Sequence, residues 1–399
     1  MKKSHIKNYY IHTSVNSIQI LFDIFGLKLN ERKTKYRLIF NLIWLGFIGI
    51  GEIFWFIDSA RSGQMFDNFQ SLATATMCIL GEVKIIFHAV HENDVIKLIK
   101  GLEDLENLTT KGFAKKQIYK KELKYLNILV KVVKILNAVT IFVFALIPVC
   151  IMGASYGETN EFVPVLPVTV KYYIFDPYDL KYYTIIYIHQ ILAMCICLAA
   201  FVGVDILFCI ICVYIKIHFK LLQHDFERMV PYQNVLTNYF QENPKFKKRF
   251  RKLIETHQKV ISCADLLEKI HSRVFLYNFL NSSFIICLVG FIVMISKDIS
   301  NIIPYLSFLA TGLQQIFLLC YHGDMVMSSS IDFGESLYIC KWYLAKSCIG
   351  KDLSFILQRS QKPSKITTCG FMDVNLIAFT KIMSKSLSYL AVLRTLYDN

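Results

Sequence analysis

Among the ionisable side chains that interrupt the apolar runs of this sequence are Glu52, Glu82, Lys84, Asp205, Arg273 and Asp324. A charge inside such a run is costly unless it is paired or wetted, so a search for site chemistry starts there. Glu82 and Lys84 are two residues apart and face different ways on a helix. Asp205, Arg273 and Asp324 lie toward the same ends of their runs and read as a polar cluster beneath a binding pocket. Nothing points to covalent catalysis, since the sequence has no Gly-rich phosphate loop, no HExxH and no nucleophile elbow. Of the 12 cysteines, Cys195, Cys197, Cys209, Cys212 and Cys287 sit inside apolar runs, where a thiol acts as a small hydrophobe. No CxxC pair has metal-like partners, so neither a disulfide framework, a metal site nor a cofactor is expected.

Binding is the chemistry the residue types allow. Small-molecule sites are walled by aromatic and aliphatic side chains with a few polar groups. Four stretches carry that mixture at matching depth: Leu72, Ala73 and Thr76; Phe144, Ile147 and Ile151; Tyr183, Tyr187, Gln190, Ile191 and Met194; Tyr305, Phe308 and Leu309. Tyr183, Tyr187, Ile191 and Met194 share one helical face. Each of these residues also suits ordinary packing between helices. Phe, Met and Ile walls fit a volatile, mostly apolar ligand held by burial rather than by ion pairs.

The elements that must position these residues are membrane-spanning helices. The 399 residues are 54% hydrophobic and 14% aromatic, with a mean hydropathy of +0.43, above the soluble range. Seven apolar runs are long enough to span: about 36–57, 69–90, 128–153, 183–213, 274–296, 302–327 and 371–396. The fourth runs on into IKIHFKLL and is expected to project as a helix beyond the bilayer. No signal peptide is expected, because Met1-Lys2-Lys3 is not followed by an apolar core and cleavage site. Residues 18–25 read as a helix lying on the membrane surface, and the Pro- and Tyr-rich stretch 155–181 as an ordered lid. The net charge of +14 would suit nucleic acid in a soluble chain, but no basic groove with interleaved aromatics is present. The charge lies between the spans, and KFKKRFRK at 245–252 reads as a solvated helix face near anionic lipid.

The placement of Lys and Arg gives the orientation. With the N-terminal segment in the cytosol, 33 of the 44 fall on the cytosolic side, five on the other and six within spans. The C-terminal end is then extracellular. This is inverted for a G-protein-coupled receptor, and neither an Asp/Glu-Arg-Tyr triplet nor an Asn-Pro-x-x-Tyr motif is present. The sequon at Asn107 falls on the cytosolic side and is expected to stay unmodified. A transporter is disfavoured because no inverted repeat with broken helices is visible.

One more pattern lies in the last eighty residues. Cys320 and Gly323 are followed by Ser330, Tyr338 and Trp342, then by the Arg359–Pro363 turn and the Ser388-Tyr389 pair. These spacings, with seven inverted spans, resemble the insect odorant receptors. The resemblance implies an all-α, seven-helix ligand-gated cation channel, in which odorant-binding subunits assemble with a shared co-receptor into a heterotetramer. The fourth–fifth segment is short for a co-receptor, which implies a ligand-tuning subunit in the plasma membrane of a sensory dendrite. The related gustatory receptors carry a Gln-Phe signature that is absent here.

The implied division is a cytosolic segment 1–35, helices and pocket 36–330, a subunit anchor 331–370, and a pore helix with tail 371–399. Tyr338, Trp342, Tyr343 and Phe355 form an apolar face in the anchor region, suited to a subunit contact or to docking on the chain's own helices. Along the last span Lys381, Ser384, Ser388, Val392 and Thr395 share a face at helical spacing, as a water-lined path with an apolar gate would require. By resemblance Val392 matches the constriction and Thr395 lies just outside it. Lys381 and Lys385 are unexpected in a cation path. In this setting the buried charges are either a structural cluster or a network that couples pocket to gate. The expected partners are a co-receptor subunit, a small volatile odorant and membrane lipid, with no nucleic acid.

Overall fold

The computed structural model describes residues 10–26, 35–62, 65–109, 112–229, 244–296, 299–339 and 346–398. Among them are ten helices: α1 (Tyr10–Phe25), α2 (Lys35–Ser62), α3 (Met65–Val90), α4 (Glu92–Thr109), α5 (Phe113–Thr159), α6 (Leu180–Glu227), α7 (Pro244–Ile295), α8 (Ile299–Ile339), α9 (Lys346–Ser360) and α10 (Leu376–Asp398). Seven of them (α2, α3, α5, α6, α7, α8 and α10) are long and apolar enough to cross a membrane, at the seven positions read from the sequence. Helices are the natural outcome, because a lipid-embedded backbone must satisfy its polar groups within the segment.

The bundle is arranged around α6. This helix is apolar all round, and every residue from Ala199 to Ile215 is buried. A helix without a polar face finds its place only in the middle of others, and α6 touches α1, α2, α3, α4, α5, α7 and α8. At 48 residues it is about 72 Å long, more than twice the bilayer core. The expected projection beyond the fourth span is therefore present. In contrast, α5 has an outward stripe of exposed apolar residues (Ile128, Val132, Ile135, Val139, Phe142, Leu146), as a lipid-facing surface requires.

Four expected elements have other helix bounds. The apolar N-terminal patch is one end of a longer helix, α1, whose Ile11, Val15, Ile18 and Phe22 are buried at i, i+4, i+7, i+11 and which packs on α6. Glu106 of α4 accepts the Tyr10 and Ile11 N–H groups at 2.8 and 3.2 Å, capping the start of α1. Burial pushes the Glu106 carboxyl up and these two donors draw it back. The fifth span, expected at about 274–296, is the end of a longer helix, α7, which starts at Pro244; Phe246 and Phe250 turn inward while the surrounding lysines and arginines stay exposed. The boundary expected at residue 331 falls inside α8, which continues to Ile339. Lastly, the seventh helix starts at Leu376 rather than Phe371, with Asn375 Oδ1 accepting the Ala378 N–H at 2.9 Å as its cap.

Residues 361–375 form a clasp instead of helix. Thr368 N donates to Met372 O and Val374 N to Ile366 O, both at 2.8 Å, around a turn in which Cys369 and Gly370 have φ of 53° and 78°. Thr367 donates to Glu268, and the Cys369 N–H to Ser272 Oγ, both on α7. The Ser364 N–H donates to Ser330 Oγ on α8 at 3.1 Å. The closest approach is at Gly323 on α8, where a Cβ would lie 2.2 Å from the Val374 carbonyl oxygen. This explains two members of the C-terminal spacing pattern: Gly323 gives room for the clasp and Ser330 bonds it.

Gly323→Ala therefore forces backbone apart, whereas Gly312→Ala on the same helix meets nothing within 4 Å. Thermal unfolding of the detergent-solubilised chain should show a loss of about 1–3 kcal/mol for the first, the overpacking range, and no loss for the second. Equal stability of the two variants would contradict the clasp geometry.

Candidate ligand site

An internal cavity of about 110 Å³ lies between α2, α3, α5, α6 and α8. That is room for about ten water-sized groups. Its walls at one end are Phe144 of α5, Phe308 of α8, and Gln190 and Met194 of α6. The other end reaches Asp205 and Cys209 of α6, Leu129 and Val133 of α5, and Gln315 and Leu318 of α8. α2 contributes Ile48 and Glu52, and α3 contributes Thr74, Met77 and Cys78. Edge-on aromatic contact joins Phe144 to Phe308 and to Tyr305, both with centroids 6.2 Å apart.

The expected lid is present and ordered. Residues 160–179 have no regular structure, but Leu166, Val168, Val170 and Tyr172 are buried on alternate positions, as in an extended strand. Gln190 holds this segment by both ends of its amide: Oε1 accepts the Val168 N–H at 3.1 Å and Nε2 donates to the Val168 carbonyl at 2.9 Å. The Lys171 N–H donates to Gly51 O at 3.0 Å, and Tyr172 stacks on Phe47 of α2 at 4.7 Å. Gly51 is needed for this, since a Cβ there would lie 2.7 Å from the Tyr172 ring.

The floor is an ion pair. Lys84 Nζ of α3 is 2.7 Å from each Asp205 carboxyl oxygen and 4.6 Å above the Phe201 ring. Gln315 Nε2 of α8 donates to Asp205 Oδ2, also at 2.7 Å. Three helices are thereby fixed by one carboxylate. The expected cluster of Asp205 with Arg273 and Asp324 does not form: Arg273 is exposed and Asp324 is half-buried. Asp205 instead finds Lys84, 121 residues away, a pairing that depth along each helix does not reveal. Glu82 faces away from this pair and is half-buried. Outside the spans, Lys269 of α7 bonds Asp94 of α4 at 2.9 Å and holds that carboxyl below its usual range.

Of the fourteen residues proposed for the pocket, Phe144, Gln190, Met194 and Phe308 line this cavity. Ala73 belongs to a separate apolar cluster with Ile285, Val289 and Ile292 of α7, against which Tyr305 and Leu309 pack. Thr76 bonds the Ala73 carbonyl and Leu72 is half-buried on the same helix. Tyr183 donates to Val165 O at 2.9 Å, and Tyr187 to Ala145 O at 2.5 Å, which ties α6 to the lid and to α5. Ile147, Ile151 and Ile191 are half-buried and outside the cavity wall. The cavity also uses polar residues not singled out before, Asn137, Thr140, Thr311, Gln314 and Gln315. Their recurrence at three- and four-residue steps inside apolar runs was the available signal.

On α10 the buried side is Ala378, Ile382 and Ser386, which packs on α7 and α8. Lys381, Ser384, Lys385, Ser388, Val392 and Thr395 are all exposed on the opposite side. Tyr338 and Phe355 are exposed as well, 73% and 70%, while Trp342 and Tyr343 lie outside the described residues.

Comparison with known proteins adds three findings. Residues 64–387 match the family model described as 7tm Odorant receptor. Odorant receptor 67c of Drosophila melanogaster is 28% identical, over 98% of this chain and 93% of its own length, and Odorant receptor 85c of the same organism is 26% identical over 90% of each. Among solved structures, the insect olfactory receptor OR5 from Machilis hrabei in complex with eugenol superposes with a TM-score of 0.80 at 17% identity, over 97% of this chain and 99% of that one.

The ion pair sets a stability test. Removing either partner of a buried pair costs about 3–5 kcal/mol, because the other charge is left uncompensated. Lys84→Met and Asp205→Leu should each lower the thermal stability of the solubilised chain to that extent, and the double variant should recover most of the loss. Additive losses would contradict a direct pairing.

Proposed function

The chain belongs to the odorant receptor family, and from that premise we propose that it is the odorant-binding subunit of a heteromeric, ligand-gated cation channel. It is a multi-pass membrane protein with seven spans, of a family that is not an enzyme family. The observation that carries the reading is the cavity enclosed by α2, α3, α5, α6 and α8 beneath the pinned lid. The charge distribution supports a cytosolic start to α2, with the lid and the cavity on the outer side. In that orientation the chain divides into a cytosolic segment 1–35, the pocket-bearing helices 36–330, an anchor 331–370 and a pore segment with tail 371–399, whose helix starts at Leu376.

The ligand sits against Phe144, Gln190, Met194 and Phe308, with Leu72, Ala73, Thr76, Ile147, Ile151, Tyr183, Tyr187, Ile191, Tyr305 and Leu309 as the surrounding shell. The ion path runs along Ser384, Ser388 and Thr395, with Val392 as its apolar gate; the exposure of this stripe in the single chain supports a surface completed by other subunits. Tyr338, Trp342, Tyr343 and Phe355 contribute the subunit contact, with a co-receptor as partner in the plasma membrane of a sensory dendrite.

The route from pocket to gate is α8 and the clasp. α8 lines the cavity with Phe308 and Gln315, and about two and four turns beyond Gln315 it meets the clasp at Gly323 and Ser330. The clasp leads directly into α10. A ligand that fits one setting of α8 better than another shifts the gate population by that difference in affinity.

Three outcomes are expected. Cells expressing this chain together with a co-receptor should give odorant-evoked cation currents that neither chain gives alone, and an N-terminal epitope tag should be inaccessible on intact cells. A panel in which no current ever depends on both chains would sink the channel reading. Within responding cells, Phe308→Ala should raise the half-maximal odorant concentration by about tenfold or more, from lost apolar burial; an unchanged response would remove α8 from the pocket wall.

A further inference from the structure

Resting on the cavity as the odorant site, we propose that its ligands carry a hydrogen-bond-donating head group, a hydroxyl or an amine, which docks on Glu52. Glu52 lines the cavity from α2 and is fully buried. Among the described residues neither of its carboxyl oxygens has a hydrogen-bond partner. Thr74 and Cys78 are its polar neighbours; no hydrogen bond of ordinary length and angle reaches either oxygen, and the Thr74 hydroxyl donates to the Gln70 and Ser71 carbonyls. Lys84, the buried cation of the cavity floor, is held by both oxygens of Asp205.

A second orphan lies in the same cavity. Gln314 Oε1 of α8 is buried without a partner, whereas its neighbour Gln315 is bonded to Asp205. Both orphan groups are acceptors. A buried polar group without a partner opposes folding, so a site that retains two of the same kind is completed by what it binds. Acceptors are completed by donors. A ligand offering only an ether, ester or ketone oxygen has no proton to give and leaves these acceptor oxygens unfilled. A protonated Glu52 donates one O–H and keeps one acceptor oxygen, which a hydroxyl ligand can answer on both counts; an ionised one presents two acceptors and gains a counter-charge from an ammonium. The rest of the wall, including Phe144, Phe201 and Phe308, takes the apolar body. At about 110 Å³ the cavity favours a compact body, on the scale of the benzene that an apolar cavity of about 150 Å³ holds.

The test compares an alkanol, a primary alkylamine, a methyl ether and a ketone of matched skeleton. Binding to the purified full-length chain in lipid nanodiscs is read by thermal shift, and currents are recorded from the chain with a co-receptor. The unsubstituted chain should bind the alkanol and amine at least tenfold more tightly than the ether. Glu52→Leu should weaken both donors by about 10–100-fold and leave the ether within about threefold. Glu52→Gln keeps an acceptor without charge, so it should spare the alkanol and weaken the amine, which separates the two head groups and guards against misfolding of the leucine variant. An unsubstituted chain that binds the ether as tightly as the donors, or binds neither donor, would overturn the proposal. So would a Glu52→Leu chain that loses all four compounds equally or loses the ketone most. Donor-selective binding without any current would count against the channel reading alone.

Discussion

A lysine and an aspartate 2.7 Å apart in the middle of an apolar bundle constrain everything around them. Lys84 on α3 has no water to turn to, and Asp205 sits on the most buried helix of the protein. Neither charge is tolerable alone at that depth, so α3 and α6 must meet at this register. Gln315 adds α8 to the same carboxylate. What lies above the pair is the cavity, and its floor is fixed because three helices share one anchor. The Lys84 chain also lies against Phe201, which closes the floor laterally with an aromatic face.

From that floor the fold leads in two directions. Toward the lid, Gln190 spends its whole amide on Val168, so the roof of the cavity is held by α6 itself. In the other direction α8 carries its register down to Gly323 and Ser330, where the clasp is bonded and where backbone approaches too closely for any side chain at residue 323. The clasp is also fastened to α7 through Glu268 and Ser272. α10 therefore begins from a fixed point on two helices of the bundle and continues with one side packed and one side open. The exposed faces of the chain differ in kind: the α5 stripe is aliphatic and aromatic, as lipid requires, whereas the open side of α10 mixes serines and lysines with Val392.

The seven spans were legible because apolar run length is a strong signal and lipid leaves the backbone no alternative to helix. Their ends were not. Pro244 begins a helix whose first two turns are basic; KFKKRFRK was readable as a solvated helix face, but not that this helix runs unbroken into the fifth span or that Phe246 and Phe250 turn inward. The pocket was legible by helix and depth but not by rotation. On α3 the wall is Thr74, Met77 and Cys78, while Leu72, Ala73 and Thr76 lie off it and Ala73 packs on α7; with apolar residues on every side, the sequence of α3 does not say which face is which. Glu52 and Lys84 stood out as buried charges, but only the assembled bundle separates the one that is paired from the one that is not.

The central claim is that the open side of α10 borders an ion path whose state depends on the cavity. The most direct measurement replaces Val392 with cysteine and applies a water-soluble thiol reagent to the chain expressed with a co-receptor, with the unsubstituted chain as control for its own cysteines. The account predicts that modification changes the odorant-evoked current and proceeds faster while odorant is bound. A Val392→Cys chain that carries normal currents and is unaffected by the reagent in either state would contradict it.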